Sequence, residues 1–261
     1  MTADFEPDLT LALRLADAAD AITLERFRAA DLLVTRKPDR TPVTDADTAA
    51  EDVLREILAA ERPGDDVLGE ERGGPSGAAA GRCWVLDPID GTKNFSRGMP
   101  VWASLVALTV DGTPVVGVVS APALGRRWWA AVGSGAWTSD LGGGARRIAV
   151  SGVADLGDAY LTTTDMTIFG DRLDTYLSLA AACWETRAFG DFWQYCLVAE
   201  GAVDIAVDGA ANPWDLAAVV TIVREAGGRL TDLTGAETWA GGDGLATNGL
   251  VHEAALAHLR R

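Results

Sequence analysis

The chain has 261 residues, 48% of them hydrophobic, enough to bury a substantial core as one large domain or two small ones. Its 22 Lys and Arg against 38 Asp and Glu give a formal charge of −16, which repels nucleic acid and anionic membrane over most of the surface. Cys83, Cys183 and Cys196 lack metal-ligand spacing and give no disulfide framework, and the opening MTADFEPDLT is neither a leader nor part of a membrane span, so the cytoplasm is the expected compartment.

In chain order, Leu11, Leu15, Ala18 and Ile22 recur at helical spacing and predict an amphipathic first helix. A second helix is expected after Thr44, with Val53, Leu54, Ile57 and Leu58 as its stripe and Arg62-Pro63-Gly64 as its break. The stretch 73–81 is rich in Gly, Ala and Ser and reads as an exposed loop before a short buried strand, WVLD, ending at Asp87. VWASLVALTV and VVGVVSAP flank Asp111-Gly112 as a hairpin, and RRWWAAV follows as a further strand. Gly142-Gly143-Gly144 marks a hinge between halves 1–144 and 145–261. In the second half AYLTTT, DIAVD and LATNG read as strands, alternating with helices at 171–182, 191–200 and 213–226 and a last one in LVHEAALAHL. Asn212-Pro213 starts the third of these and Gly227-Gly228 stops it. The fold class is α/β (α+β).

Acids stand at element ends in four places: Asp45 and Asp47, Glu70 and Glu71, Asp87 and Asp90, and Asp215. Each has a plain structural account. Thr44-x-x-Asp47 makes a capping box, Asp215 suits the first turn of its helix, and Glu70-Glu71 is a solvated loop pair. Asp87, closing an apolar strand, needs a partner. The bases nearby in sequence are Lys37, Arg40, Arg72, Lys93 and Arg97, and a protein cation is not the expected partner. Two carboxylates ~4 Å apart repel by ~4 kcal/mol at an effective dielectric of about 20, a cost that a divalent cation removes. All-oxygen ligands point to Mg²⁺ or Mn²⁺ rather than Zn²⁺, with His252 and His258 far off in the last helix. The N–H groups of Gly91 and Thr92, at a strand-to-helix turn, can hold an anion, so metal and anion together point to phosphoryl chemistry.

Gly69-Glu70-Glu71, Asp87-Pro88-Ile89-Asp90-Gly91-Thr92 and Trp214-Asp215-Leu216-Ala217-Ala218 resemble, in order and spacing, the motifs of the inositol monophosphatase superfamily of Mg²⁺-dependent, Li⁺-sensitive phosphatases. The resemblance spans essentially the whole chain. It implies a layered αβαβα fold, usually as a homodimer. It also implies metal ligation by Glu70, Asp87, the Ile89 carbonyl, Asp90 and Asp215, with two or three Mg²⁺ per site. By the same resemblance Glu70, Asp47 and Thr92 act on the attacking water, with Gly91 and Thr92 on the phosphate, and no phosphoenzyme forms.

On the substrate side, Arg187-Ala188-Phe189-Gly190-Asp191 places an acid where inositol-selective relatives usually have a small or hydroxyl residue, and the resemblance implies that Asp208, a second acid, stands at the position that in the family reaches the non-phosphate part of the substrate. Two acids favour a cation over a neutral polyol. With Pro100 to Leu105 and Ala121 to Leu124, this stretch resembles the actinobacterial-type histidinol-phosphate phosphatases of the superfamily, whose substrate carries an ammonium and an imidazole. Arg187, Gly190, Asp191 and Asp208 are the substrate candidates that follow. Asp191 also serves as a helix N-cap, and Arg187 also suits an ion pair with a neighbouring carboxylate. Three other readings stand beside this one: a broad inositol or sugar phosphatase of the same fold, a haloacid-dehalogenase phosphatase, against which Asp87-x-x-Asp90 has one residue too many, and a binding protein that has lost catalysis.

Overall fold

The computed structural model describes residues 4–38, 41–75, 80–140 and 143–260. Arg40, four residues of the 73–81 loop and Gly142 of the expected hinge lie outside the described residues. The elements in order are α1 (Glu6–Arg26), β1 (Val34–Arg36), β2 (Pro42–Thr44), α2 (Asp45–Glu61), β3 (Asp66–Gly69), β4 (Arg82–Asp90) and α3 (Thr92–Ser96). Then come β5 (Ala103–Val110), β6 (Thr113–Ala121), β7 (Arg126–Ala131), β8 (Gly135–Asp140), β9 (Arg146–Ile148), β10 (Tyr160–Thr162), α4 (Leu173–Ala182) and β11 (Glu185–Arg187). The chain ends with α5 (Asp191–Ala199), β12 (Ile205–Asp208), α6 (Pro213–Glu225), β13 (Arg229–Thr231), β14 (Gly244–Thr247) and α7 (His252–Leu259).

Strands β3 to β9 form a seven-stranded sheet in sequence order, parallel at β3–β4 and antiparallel elsewhere. Its central strands are apolar throughout because both faces are covered. Side chains alternate across them: Trp84, Leu86, Val106 and Leu108 pack with Leu11, Leu15, Leu54 and Leu58 of α1 and α2. The opposite set, Cys83, Val85, Leu105 and Ala107, packs with Phe192, Cys196, Leu216 and Val220 of α5 and α6. A second sheet, ordered β11-β10-β12-β14-β13, covers the far side of α5 and α6 through Ala206, Leu230 and Ala246. Its outer face carries α4 and α7 through Tyr176, Leu179, Ala255 and Leu256. The layering is αβαβα, as the resemblance implied, and the change of sheet falls between Ile148 and Tyr160.

The β5–β6 hairpin turns on Asp111 (φ 48°) and Gly112 (φ 75°), both left-handed as a two-residue primed turn demands. The strand expected to end at Asp87 instead runs on to Asp90. Strands β1, β2, β3, β8, β9, β11 and β13 were not expected; five of them are only three residues long, too short for a periodic signal. Among the described residues no helix is long and apolar enough to cross a membrane.

Candidate active site

The ends of several elements meet around one cavity of about 680 Å³, lined among others by Lys37, Glu70, Asp90, Gly91, Thr92, Lys93, Asp165, Phe189, Gly190, Asp191 and Trp214. At its acidic end, Asp87, Asp90 and Asp215 each offer a carboxylate oxygen within 4.8 Å of the others. In a regular strand, residues three apart point to opposite faces. Here the register shifts between Asp87, opposite Leu105, and Asp90, opposite Ala103. Pro88 brings no N–H to the ladder, and its carbonyl accepts from Ser104 Oγ at 2.7 Å instead. Ile89 N–H turns back to Asp87 Oδ1 at 3.0 Å. The irregularity brings both aspartates into one cluster.

Burial, then the neighbouring Glu70, Asp90 and Asp215, push the Asp87 carboxyl well above the usual range. Burial, then Asp191 and Asp215, do the same to Asp90, against the Phe192 N–H that donates to its Oδ2 at 2.5 Å. Asp215, in the first turn of α6, is pushed up to about 7 by burial, although Asn212 N–H donates to it at 2.7 Å. Three clustered acids that resist ionisation together, with no sulfur or imidazole among them, fit a hard divalent cation.

Glu70 and Glu71 follow β3. Lys37 Nζ lies 2.7 Å from Glu70 Oε1 and 2.8 Å from Glu71 Oε1, so a protein cation reaches this pair of acids. It comes from the β1–β2 hairpin, which the sequence did not show. Glu71 is no solvated partner either: its side chain is 5% exposed, and burial pushes it up to about 7 despite Lys37.

Asp47 serves two ends at once. Its Oδ2 accepts the Thr44 N–H at 2.8 Å, closing the expected capping box, and its Oδ1 accepts Thr92 Oγ1 at 3.1 Å. Thr92 Oγ1 also lies 2.9 Å from the Ile89 carbonyl. Burial pushes Asp47 up to about 6, against the hydrogen bonds from Thr44.

Asp191 stands beside the Asp90-Gly91 turn, its Oδ2 close to Gly91. It is not the N-cap of α5; Gly190 is, and the Phe192 N–H is taken by Asp90. Asp191 holds φ 48°, rare for a residue with a side chain, with its N–H on Thr164 Oγ1 at 2.9 Å and its Oδ2 accepting Asn94 Nδ2 at 3.0 Å. Burial and Asp208 push its carboxyl up to about 6, against Lys93. Asp208 is placed differently from the expectation. It is buried at the end of β12 and accepts from Thr164 N–H at 3.0 Å, Tyr195 Oη at 2.9 Å and Gln194 Nε2, so it braces the wall rather than lining it. Arg187 stands outside the lining, its Nη1 2.6 Å from Glu185 Oε1 on the same strand.

Sequence reasoning gave no role to Lys37, Asn94, Thr164 or Phe189. A signal for one of them was present: the chain has two lysines, Lys37 and Lys93, among 22 basic residues, and both line this cavity.

Residues 4–261 match the model of the inositol monophosphatase family. The chain is 55% identical over 254 residues to a histidinol-phosphatase of Mycobacterium tuberculosis, covering 97% of each chain. It is 48% identical over 264 residues to a histidinol-phosphatase of Streptomyces coelicolor, covering 99% of this chain and 98% of that one. A solved inositol monophosphatase from Zymomonas mobilis superposes with a TM-score of 0.86 at 34% identity, covering 99% of this chain and all of that one. With its αβαβα layers and its acid cluster at the ends of β4 and α6, the chain belongs to the inositol monophosphatase family.

Proposed function

We propose that the chain hydrolyses a phosphate monoester with the help of Mg²⁺ or Mn²⁺, and that the alcohol half of its substrate is a cation, histidinol phosphate being the one that fits. One observation carries the reading: an acid cluster able to take a divalent cation shares a cavity with Thr92 and the Asp191 carboxylate. The relatives named histidinol-phosphatase support the choice of substrate.

Asp87, Asp90 and Asp215, with Glu70 and the Ile89 carbonyl, would hold the cations, two or three per site. When bound, these supply charge neutralisation on the phosphate and a water of lowered pKa. Thr92 Oγ1, held by Asp47 Oδ1, orients the attacking water, and Asp47 takes its proton through Thr92. The N–H groups of Gly91 and Thr92 hold the phosphate. Attack is direct, so the P–O bond to the alcohol breaks as the water oxygen bonds to phosphorus, and no residue becomes phosphorylated. Asp191, with a pKa of about 6, is mostly ionised at neutral pH and pairs with the ammonium or imidazolium of the leaving group, beside the Phe189 ring. Gly190, as N-cap, sets the entry of α5 that presents it. The same reading includes a homodimer in the cytoplasm, which accords with three free cysteines.

The test is phosphate release with Mg²⁺ from histidinol phosphate and from myo-inositol 1-phosphate, by the parent and by Asp191→Asn. The parent should prefer histidinol phosphate, and the variant should lose at least tenfold of that preference. Equal turnover of the two substrates by the parent would make the chain a general sugar or inositol phosphatase and overturn the assignment.

A further inference from the structure

One face of α2 carries three charged side chains a turn apart, Asp47, Glu51 and Arg55. Asp47 reaches Thr92. Glu51, with no exposed surface, lies under the turn that carries Glu70: its Oε2 accepts the Glu71 N–H at 2.7 Å and its Oε1 the Arg72 N–H at 3.1 Å. Arg55 Nε donates to the same Oε1 at 2.8 Å, and the Arg55 guanidinium continues to the carbonyls of Val67, at 3.4 Å, and Gly73. Gly69 closes the turn against Gly73, with N to O separations of 3.1 and 3.0 Å, and a Cβ at Gly69 would overlap the Glu51 carboxylate. The carboxylate thus fills a concavity of backbone N–H groups, as an anion does in a nest. Glu51 does not line the cavity, and none of its bonds is to another carboxylate.

We propose that Glu51, with Arg55 as its counter-ion, is the positioning residue that fixes the backbone of Gly69 to Gly73 and so aims the Glu70 carboxylate, setting the affinity of the site for its divalent cation. This rests on the reading that Glu70 takes part in metal binding. A charge is required at position 51 because an amide in its place turns one acceptor into a donor facing donors. Outer partners of this kind govern metal affinity by about 10-fold or more.

The experiment titrates Mn²⁺ into metal-free protein and follows free Mn²⁺ by electron paramagnetic resonance, alongside thermal unfolding in EDTA. Glu51→Gln should weaken Mn²⁺ binding about tenfold. That substitution also removes a negative charge near the cation, so Gly69→Ala, which keeps the charge and displaces the carboxylate, separates aim from charge and should weaken binding as well. Leu54→Val, on the core side of the same helix, should lower the unfolding temperature and leave Mn²⁺ affinity unchanged. If Glu51→Gln or Gly69→Ala lowers the unfolding temperature but binds Mn²⁺ as the parent does, Glu51 is structural and the proposal fails. Asp87→Asn tests the underlying reading separately: parent-like Mn²⁺ affinity in that variant would remove the metal site itself, whatever Glu51 does.

Discussion

Thr92 and Asp47 are joined through one carboxylate oxygen while the other oxygen of Asp47 accepts the Thr44 N–H at the start of α2, so the capping role and the proposed catalytic role of Asp47 fall on separate atoms. The two accounts are separable by experiment. Asp47→Asn keeps an oxygen for the Thr44 N–H but loses the base. It should cost about 1 kcal/mol of stability, the size of a cap contribution, while turnover falls by about 10²- to 10⁴-fold. Urea unfolding and steady-state kinetics on the same sample check this. A loss of stability with turnover intact would reduce Asp47 to a cap.

The acid cluster sets a pH dependence that metal should cancel. Asp47 at about 6 and Asp215 at about 7, with Asp87 and Asp90 raised further by burial and by one another, all bind protons more tightly folded than unfolded. For a raised carboxyl the native state carries more protons between its unfolded pKa, about 4, and its folded one, so stability is greatest below that window and falls as pH rises through it. In EDTA, Asp47 and Asp215 alone should cost the protein on the order of 4 kcal/mol between pH 5 and pH 8. With Mg²⁺ present the loss should shrink, because the cation stabilises the ionised cluster. Calorimetry across that range with and without metal measures both curves, and a flat EDTA curve would contradict the cluster's mutual repulsion.

Much of this site could be read from the order of residues, because its acids occupy element ends that punctuation marks. Thr44 announces α2, Asn212-Pro213 announces α6, and the apolar run to Asp87 announces β4. What escaped was set by tertiary contacts. Lys37 sits after a three-residue strand whose side chains are all exposed, so no periodicity could place it beside Glu70 and Glu71. The Pro88 irregularity decides that Asp87 and Asp90 share a cluster, and a plain strand period would have parted them. Asp208 lies at a strand end, as expected, and Arg187 at the end of the short β11, but spacing does not tell whether an end residue faces a cavity, a buried hydroxyl or its own neighbour.

The backbone at Asp191 makes the choice of substitution matter. At φ 48°, a residue with a Cβ costs roughly 1–2 kcal/mol, and Asp or Asn bears that conformation better than Ala. Asp191→Ala should therefore destabilise by about 1 kcal/mol more than Asp191→Asn. Asp191→Gly should be close to the parent, relief of strain offsetting the added freedom of the unfolded chain. All three lose the carboxylate, so all three should lose selectivity for a cationic leaving group. Denaturant midpoints that rank Gly and Asn above Ala, with selectivity equally low in each, would separate the backbone from the charge. Equal midpoints for Ala and Asn would show that the turn carries no strain.

The fold transmits to the site at Gly117, in the middle of β6 and far along the chain from the acids of the cluster. A Cβ there would overlap the Ala218 carbonyl of α6, so the absence of a side chain is what lets this helix lie so close to the sheet. Three residues earlier on the same helix stands Asp215, whose carboxylate must stay within reach of Asp87 and Asp90. Gly117→Ala should cost about 1–3 kcal/mol as overpacking. Because the cheapest relief is a shift of α6, it should also weaken Mn²⁺ binding although it touches no carboxylate. Val118→Ala, the next residue on the opposite face, packs against α1 and α2 and serves as the comparison. It should lower stability through a cavity while leaving Mn²⁺ affinity at the parent value. Parallel unfolding and Mn²⁺ titrations of the two variants decide whether α6 or the sheet as a whole holds Asp215 in place. If both bind Mn²⁺ like the parent, the helix takes up the added methyl without moving its N-terminal turn.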